Sequence, residues 1–273
     1  MNCKIVTICS FQVAKVNKRR VVMSRWVGIP GAAITAALNW VVFFLGAQML
    51  HSSRPEFIAT ILIVSLVIHE LAHLITMEAY GIKGHIAFLA ILGGAMPDKD
   101  YERVMQRLPW TKVAAIALAG ATACVIVIIV SFLLGLLKVL PLEDVLRIVS
   151  LNGWIILLCL IPRWMFDGGY FIKALFNSIS EDRDARYVEI MTSVIGIAMI
   201  ALLVYKAKHM LQFIPVFFLI FWGLQFWSTH DNPRGSRSQL AMTRTQQARW
   251  AVYYVFLVIV GLVAAATIKT YMV

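Results

Sequence analysis

Seven stretches of about twenty residues carry almost no charge, and a chain built this way has lipid for its solvent. They run Val27–Leu50, Glu56–Tyr80, Val113–Leu140, Leu146–Phe166, Val188–Val204, Met210–Trp227 and Trp250–Ile268. A bilayer core offers no water to pair backbone N–H and C=O groups, so each stretch must close its own hydrogen bonds as a helix. Composition agrees. The chain is 60% hydrophobic and 14% charged, with a mean hydropathy of +0.80, where a soluble domain is nearer half apolar and a quarter charged. The expected fold is an all-α polytopic membrane protein with six to seven transmembrane helices. One segment departs from the pattern. Residues 81–97, "GIKGHIAFLAILGGAMP", alternate loosely and are punctuated by glycine, which predicts a short membrane-associated β-hairpin or re-entrant segment.

Charge lies between the apolar runs. The net charge of +11 would suggest nucleic acid in a soluble chain. Here the basic residues flank hydrophobic runs, where they set topology and meet anionic headgroups. Nucleic acid is therefore set aside as a partner, and the lipid bilayer takes its place. With the N-terminus inside, eighteen Lys and Arg fall on the cytosolic side and six outside. The expected organisation is a basic cytosolic tail (1–26), a membrane core of four spans (27–180), and three further spans (181–273) with a basic polar loop at 228–249. No long uncharged run beside a small-residue cleavage site marks a removable secretory signal. Cys3, Cys9, Cys124 and Cys159 show no C-x-x-C spacing and form no disulfide framework.

The second run holds what an apolar helix ordinarily excludes. His69, Glu70 and His73 form H-E-x-x-H within "VSLVIHELAHLITMEAYGI". Residues four apart share a helix face, so both imidazoles can grip one metal ion. Glu70, one step round the helix, can stand beside a metal-polarised water. Ionisable groups inside a span are costly and mark function. A catalytic zinc takes three protein ligands and keeps one open position, so a third ligand must come from elsewhere. Asp167, in "MFDGGY", is the candidate. If the second and fourth runs both cross from outside to inside, His73 and Asp167 lie at about 26 and 29 Å depth at about 1.5 Å per residue. Gly168 and Gly169 leave room beside the carboxylate for a break in the helix.

"HELAH" in one apolar run and D-G-G at the end of a later one resemble the site-2 protease family of intramembrane zinc metalloproteases. The resemblance covers about residues 56–180 and is nearest in size to short members such as the stage IV sporulation protease. It implies that His69, His73 and Asp167 bind one Zn2+ and that Glu70 is the general base. It also implies a glycine-rich hairpin after the motif helix, which 81–97 resembles. Two motifs depart from the family pattern. Where the family has G-P-x-x-N, this chain has "GATAC", with Ala121 for Pro and Cys124 for Asn. Where the family has Asn ahead of its Asp, this chain has Cys159 in "CLIPRWMFDGG". Asn152, two turns before Cys159 on one helix face, is a possible substitute. Gly93, Gly94, Asn152 and Cys159 are thus candidate substrate-binding residues. Cys124 and Cys159 are otherwise read as small packing groups.

The expected function is hydrolysis of a peptide bond within a transmembrane protein or peptide, in the membrane and toward the cytosolic side. Two other classes share these residues. An inactive relative would act as a membrane scaffold. A metal transporter would use the same ligands in transit, but it needs polar residues on several helices, and the first, fifth and seventh runs are almost wholly apolar.

Overall fold

The computed structural model describes residues 4–8, 11–15, 36–48, 53–89, 92–98, 104, 107–162, 166–177 and 241–267. The expected spans Val188–Val204 and Met210–Trp227 lie outside the described residues, as does most of the 228–249 loop. The described chain is mostly helical. Its helices are α1 (Ala36–Gln48), α2 (Pro55–Ala79), α3 (Trp110–Leu136), α4 (Leu142–Cys159), α5 (Asp167–Asn177) and α6 (Arg244–Ala266). Three of these, α2, α3 and α6, are long and apolar enough to cross a membrane. Two antiparallel hairpins accompany them: β1 (Lys4–Ile8) with β2 (Phe11–Lys15), and β3 (Gly84–Leu89) with β4 (Leu92–Pro97). The first lies in the basic tail, where sequence gave no element.

Each boundary has a local cause. α2 opens with Pro55 in its first turn, where the missing N–H is harmless. It closes at Gly81, whose φ of +78° suits a residue without Cβ. The chain then turns into the expected hairpin, paired from Gly84↔Pro97 to Leu89↔Leu92. Gly84 seats this hairpin on α2, because a Cβ there would meet Leu74 and Met77.

Two expected spans need correction. The fourth expected span is Leu146–Phe166, but α4 runs Leu142–Cys159 and stops. Pro162 lacks an N–H and its ring crowds the preceding turn, so the helix ends ahead of it. α4 also begins earlier, with Glu143, Asp144 and Arg147 in its first two turns, so its apolar length is shorter than that of α2 or α3. The seventh span was read as Trp250–Ile268, but α6 begins at Arg244, inside the expected polar loop. Thr243 caps it by accepting from the Gln246 N–H, while Gln246 accepts from the Thr243 N–H. This reciprocal box starts a helix in polar sequence ahead of the apolar run.

The core lies among α3, α4 and α6, with α2 and α5 against them. α4 and α6 approach closely through glycine. A Cβ on Gly153 would collide with the Ala264–Ala265 backbone, and one on Gly261 with Ile156 and Leu157. At the other end, Arg54 reaches Asp144 at 2.6 Å. Arg147 donates to Ser53 at 3.2 Å and pairs with Glu143. These contacts fix the register of α2 against α4. The same number of residues separates Arg54 from His69 and Asp144 from Cys159, and Cys159 lies near His69.

Candidate metal centre

α2 turns one file of residues into the protein. Ser65, His69, His73 and Met77, at four-residue intervals, are all buried, while Val64, Ile68, Leu71 and Ile75 are exposed. Glu70 is buried beside the file. Asp167 is the first residue of α5, after the break that follows α4. Phe166 anchors that first turn, its carbonyl accepting from the Gly169 and Tyr170 N–H groups.

These residues converge. His69 Nε2 lies 3.0 Å from Asp167 Oδ2, His73 Nε2 lies 3.3 Å from the same oxygen, and the two Nε2 atoms are 3.2 Å apart. Ligands at three corners of a tetrahedron, each about 2.0–2.1 Å from zinc, stand roughly 3.3–3.4 Å from one another. The triangle therefore has the size that a tetrahedral ion requires. It is the only such ligand group found among the described residues.

α3 supports the rings from behind. His73 Nδ1 lies 2.6 Å from the Ile116 carbonyl. A carbonyl only accepts, so Nδ1 carries the proton and Nε2 presents its lone pair to the triangle. Four residues along α3, Gly120 lets both rings lie against the helix, since a Cβ there would overlap His69 and His73. Four residues further, Cys124 Sγ stands 3.6 Å from His69 Nδ1. Ile116, Gly120 and Cys124 thus form one file on α3 facing the His file on α2. The sequence signal for Gly120 is the glycine of "GATAC"; the Ile116 carbonyl has none, because every residue carries one. Cys124, read from sequence as a packing group, also touches the outer nitrogen of His69.

The remaining candidates are less concentrated. Gly93 and Gly94 pair with Phe88 and Ala87 in the hairpin, and the next residue, Ala95, lies near Glu70. β4 therefore runs beside Glu70. Cys159 ends α4 close to His69. Asn152 is fully buried; its Nδ2 donates to the Ile148 carbonyl at 2.9 Å, while its Oδ1 has no partner among the described residues. It stands two turns from Cys159 on α4, away from the triangle.

Chemically, the arrangement offers two imidazole nitrogens and a carboxylate oxygen aimed at one point, with a second carboxylate adjacent. No family model matches the chain, and no curated protein matches it.

Proposed function

We propose that the chain is an intramembrane zinc metalloprotease of the site-2 protease kind, which cuts a transmembrane segment of a membrane-bound substrate. The observation that carries the reading is the convergence of His69, His73 and Asp167 at tetrahedral spacing beside a buried Glu70. Residues nearly a hundred positions apart meet inside an apolar bundle, where burying ionisable groups without a task is costly.

His69 Nε2, His73 Nε2 and Asp167 Oδ2 would hold the ion. When bound, zinc supplies a Lewis acid that polarises a carbonyl and brings the pKa of water down toward about 7. Glu70 is left out of the ligand triangle and is free to move protons. Its carboxylate takes the proton from the attacking water and returns it to the leaving amine. A helical peptide bond is shielded by its own hydrogen bonds, so the substrate must unwind before attack. β4, with Gly93 and Gly94, offers an unwound segment a strand to pair with next to Glu70. Cys159 lies near His69 at the end of α4, whereas Asn152 is buried two turns away. The N-terminus is cytosolic in this reading, and the site lies toward the cytosolic side.

Purified protein reconstituted with a single-span helical substrate tests the proposal. Wild type should cut inside the substrate's hydrophobic segment, as located by product mass. A zinc chelator should stop the reaction, and added zinc should restore it. Chelator-resistant cleavage would contradict a metal-dependent reaction, and no cleavage by the zinc-loaded protein across a panel of helical substrates would argue for a scaffold or a transporter instead.

A further inference from the structure

The carbonyl of Leu160 links the last described helix to the metal centre. α4 stops at Cys159 and Pro162 has no N–H, so the helix does not continue past Leu160 to pair the Leu160 carbonyl. Leu160 is fully buried in an apolar bundle, where an unpaired carbonyl is costly. Its partner is distant in sequence: the Tyr254 hydroxyl on α6 donates to it at 2.5 Å. The same Tyr254 ring stacks on Phe171, with centroids 4.9 Å apart and 7° between planes. Phe171 lies four residues after Asp167, hence on the same face of α5. Gly168, next to Asp167, lies against the same Leu160 carbonyl, and a Cβ there would collide with it. Two contacts beside Asp167, at Gly168 through the Leu160 carbonyl and at Phe171 directly, therefore lead to one tyrosine.

We propose that Tyr254 is a positioning residue of the metal centre, holding Asp167 through the Leu160 carbonyl and the Phe171 ring. The inference rests on the metal-site reading above and deepens it: α6 completes a centre whose ligands come from α2 and α5. The hydroxyl is the informative part. Phenylalanine fills the same space and keeps the stack, but leaves the Leu160 carbonyl without its donor. The seat of Gly168 on that carbonyl then relaxes, and the carboxylate leaves its place in the triangle.

Zinc affinity by chelator competition and the visible spectrum of the cobalt-loaded protein test this without any substrate. Tyr254→Phe should weaken zinc binding about tenfold to a hundredfold, as loss of a supporting hydrogen bond at a metal site does, and should alter the cobalt bands. Tyr253→Phe is the control. It removes a hydroxyl from the same helix, one that pairs with Thr122 Oγ1 at 2.8 Å, and should leave both readouts unchanged. Tyr254→Phe matching wild type in affinity and spectrum would overturn the proposal. Equal weakening in both variants would overturn it too, because the cause would then be general loosening of α6. Wild type that binds no zinc would sink this proposal and the metal reading together. Weakened binding confined to Tyr254→Phe, in a protein that cuts no substrate, would leave the positioning role standing and sink only the protease reading.

Discussion

Gly120 is the residue whose replacement separates metal binding from helix stability. Alanine is favoured over glycine inside a helix by about 1 kcal/mol, so in a plain apolar helix Gly120→Ala would stabilise. Here the added methyl would overlap both imidazoles. The variant should keep its helix content and lose zinc affinity by at least about tenfold, in the range of support losses at metal sites. Metal content and circular dichroism on one sample check this; wild-type zinc content would contradict the close approach. Asp167→Ala should lose most bound zinc, because it removes one of three ligands, and full occupancy would take Asp167 out of the site. That His69, His73 and Asp167 could form one metal-binding group, with Glu70 beside it, was legible in the sequence, since ionisable residues stand out in apolar runs. Their support was not. A carbonyl has no letter, a glycine among alanines looks like packing, and Tyr254 sits in a run whose other residues face neighbours or lipid.

At the scale of elements, α2 was legible almost to the residue, because Pro55 and Gly81 punctuate it. The 81–97 hairpin was legible from its glycines. The break after α4 was not. Depth counting had brought Asp167 level with His73 by extending one helix through residue 166, yet the chain gets there by stopping at Cys159 and starting α5 afresh. Agreement in depth thus came from an assumed continuity that the structure does not have. Sequence could place Pro162 but could not show that the freed Leu160 carbonyl has a donor on another helix. The α6 start was missed because hydropathy sees apolar runs and not capping boxes. The α4–α6 contact carries its own prediction. Gly153→Val forces side-chain volume into the Ala264–Ala265 backbone, and overpacking of this kind costs about 1–3 kcal/mol. The thermal midpoint in detergent should fall, with zinc affinity falling alongside as α6 withdraws Tyr254. An unchanged midpoint would mean that the two helices are not packed this closely.

For the whole molecule, the basic asymmetry predicts sidedness. Reporters fused at residues 95 and 240 should read cytosolic, and those at 53 and 142 external. The reverse pattern would move the site to the other face of the membrane. The central claim joins the scales: three side chains bind the ion, and a fourth, outside that triangle, moves the proton. Glu70→Gln tests that division most directly. Glutamine keeps the size and polarity of glutamate but cannot take up a proton. Zinc content and cleavage rate should be measured on the same reconstituted samples of wild type and Glu70→Gln. The account predicts equal zinc and a loss of cleavage of at least about 10²–10⁴, the usual worth of general acid–base assistance. Equal cleavage by both proteins, or zinc lost with Glu70→Gln, would contradict it.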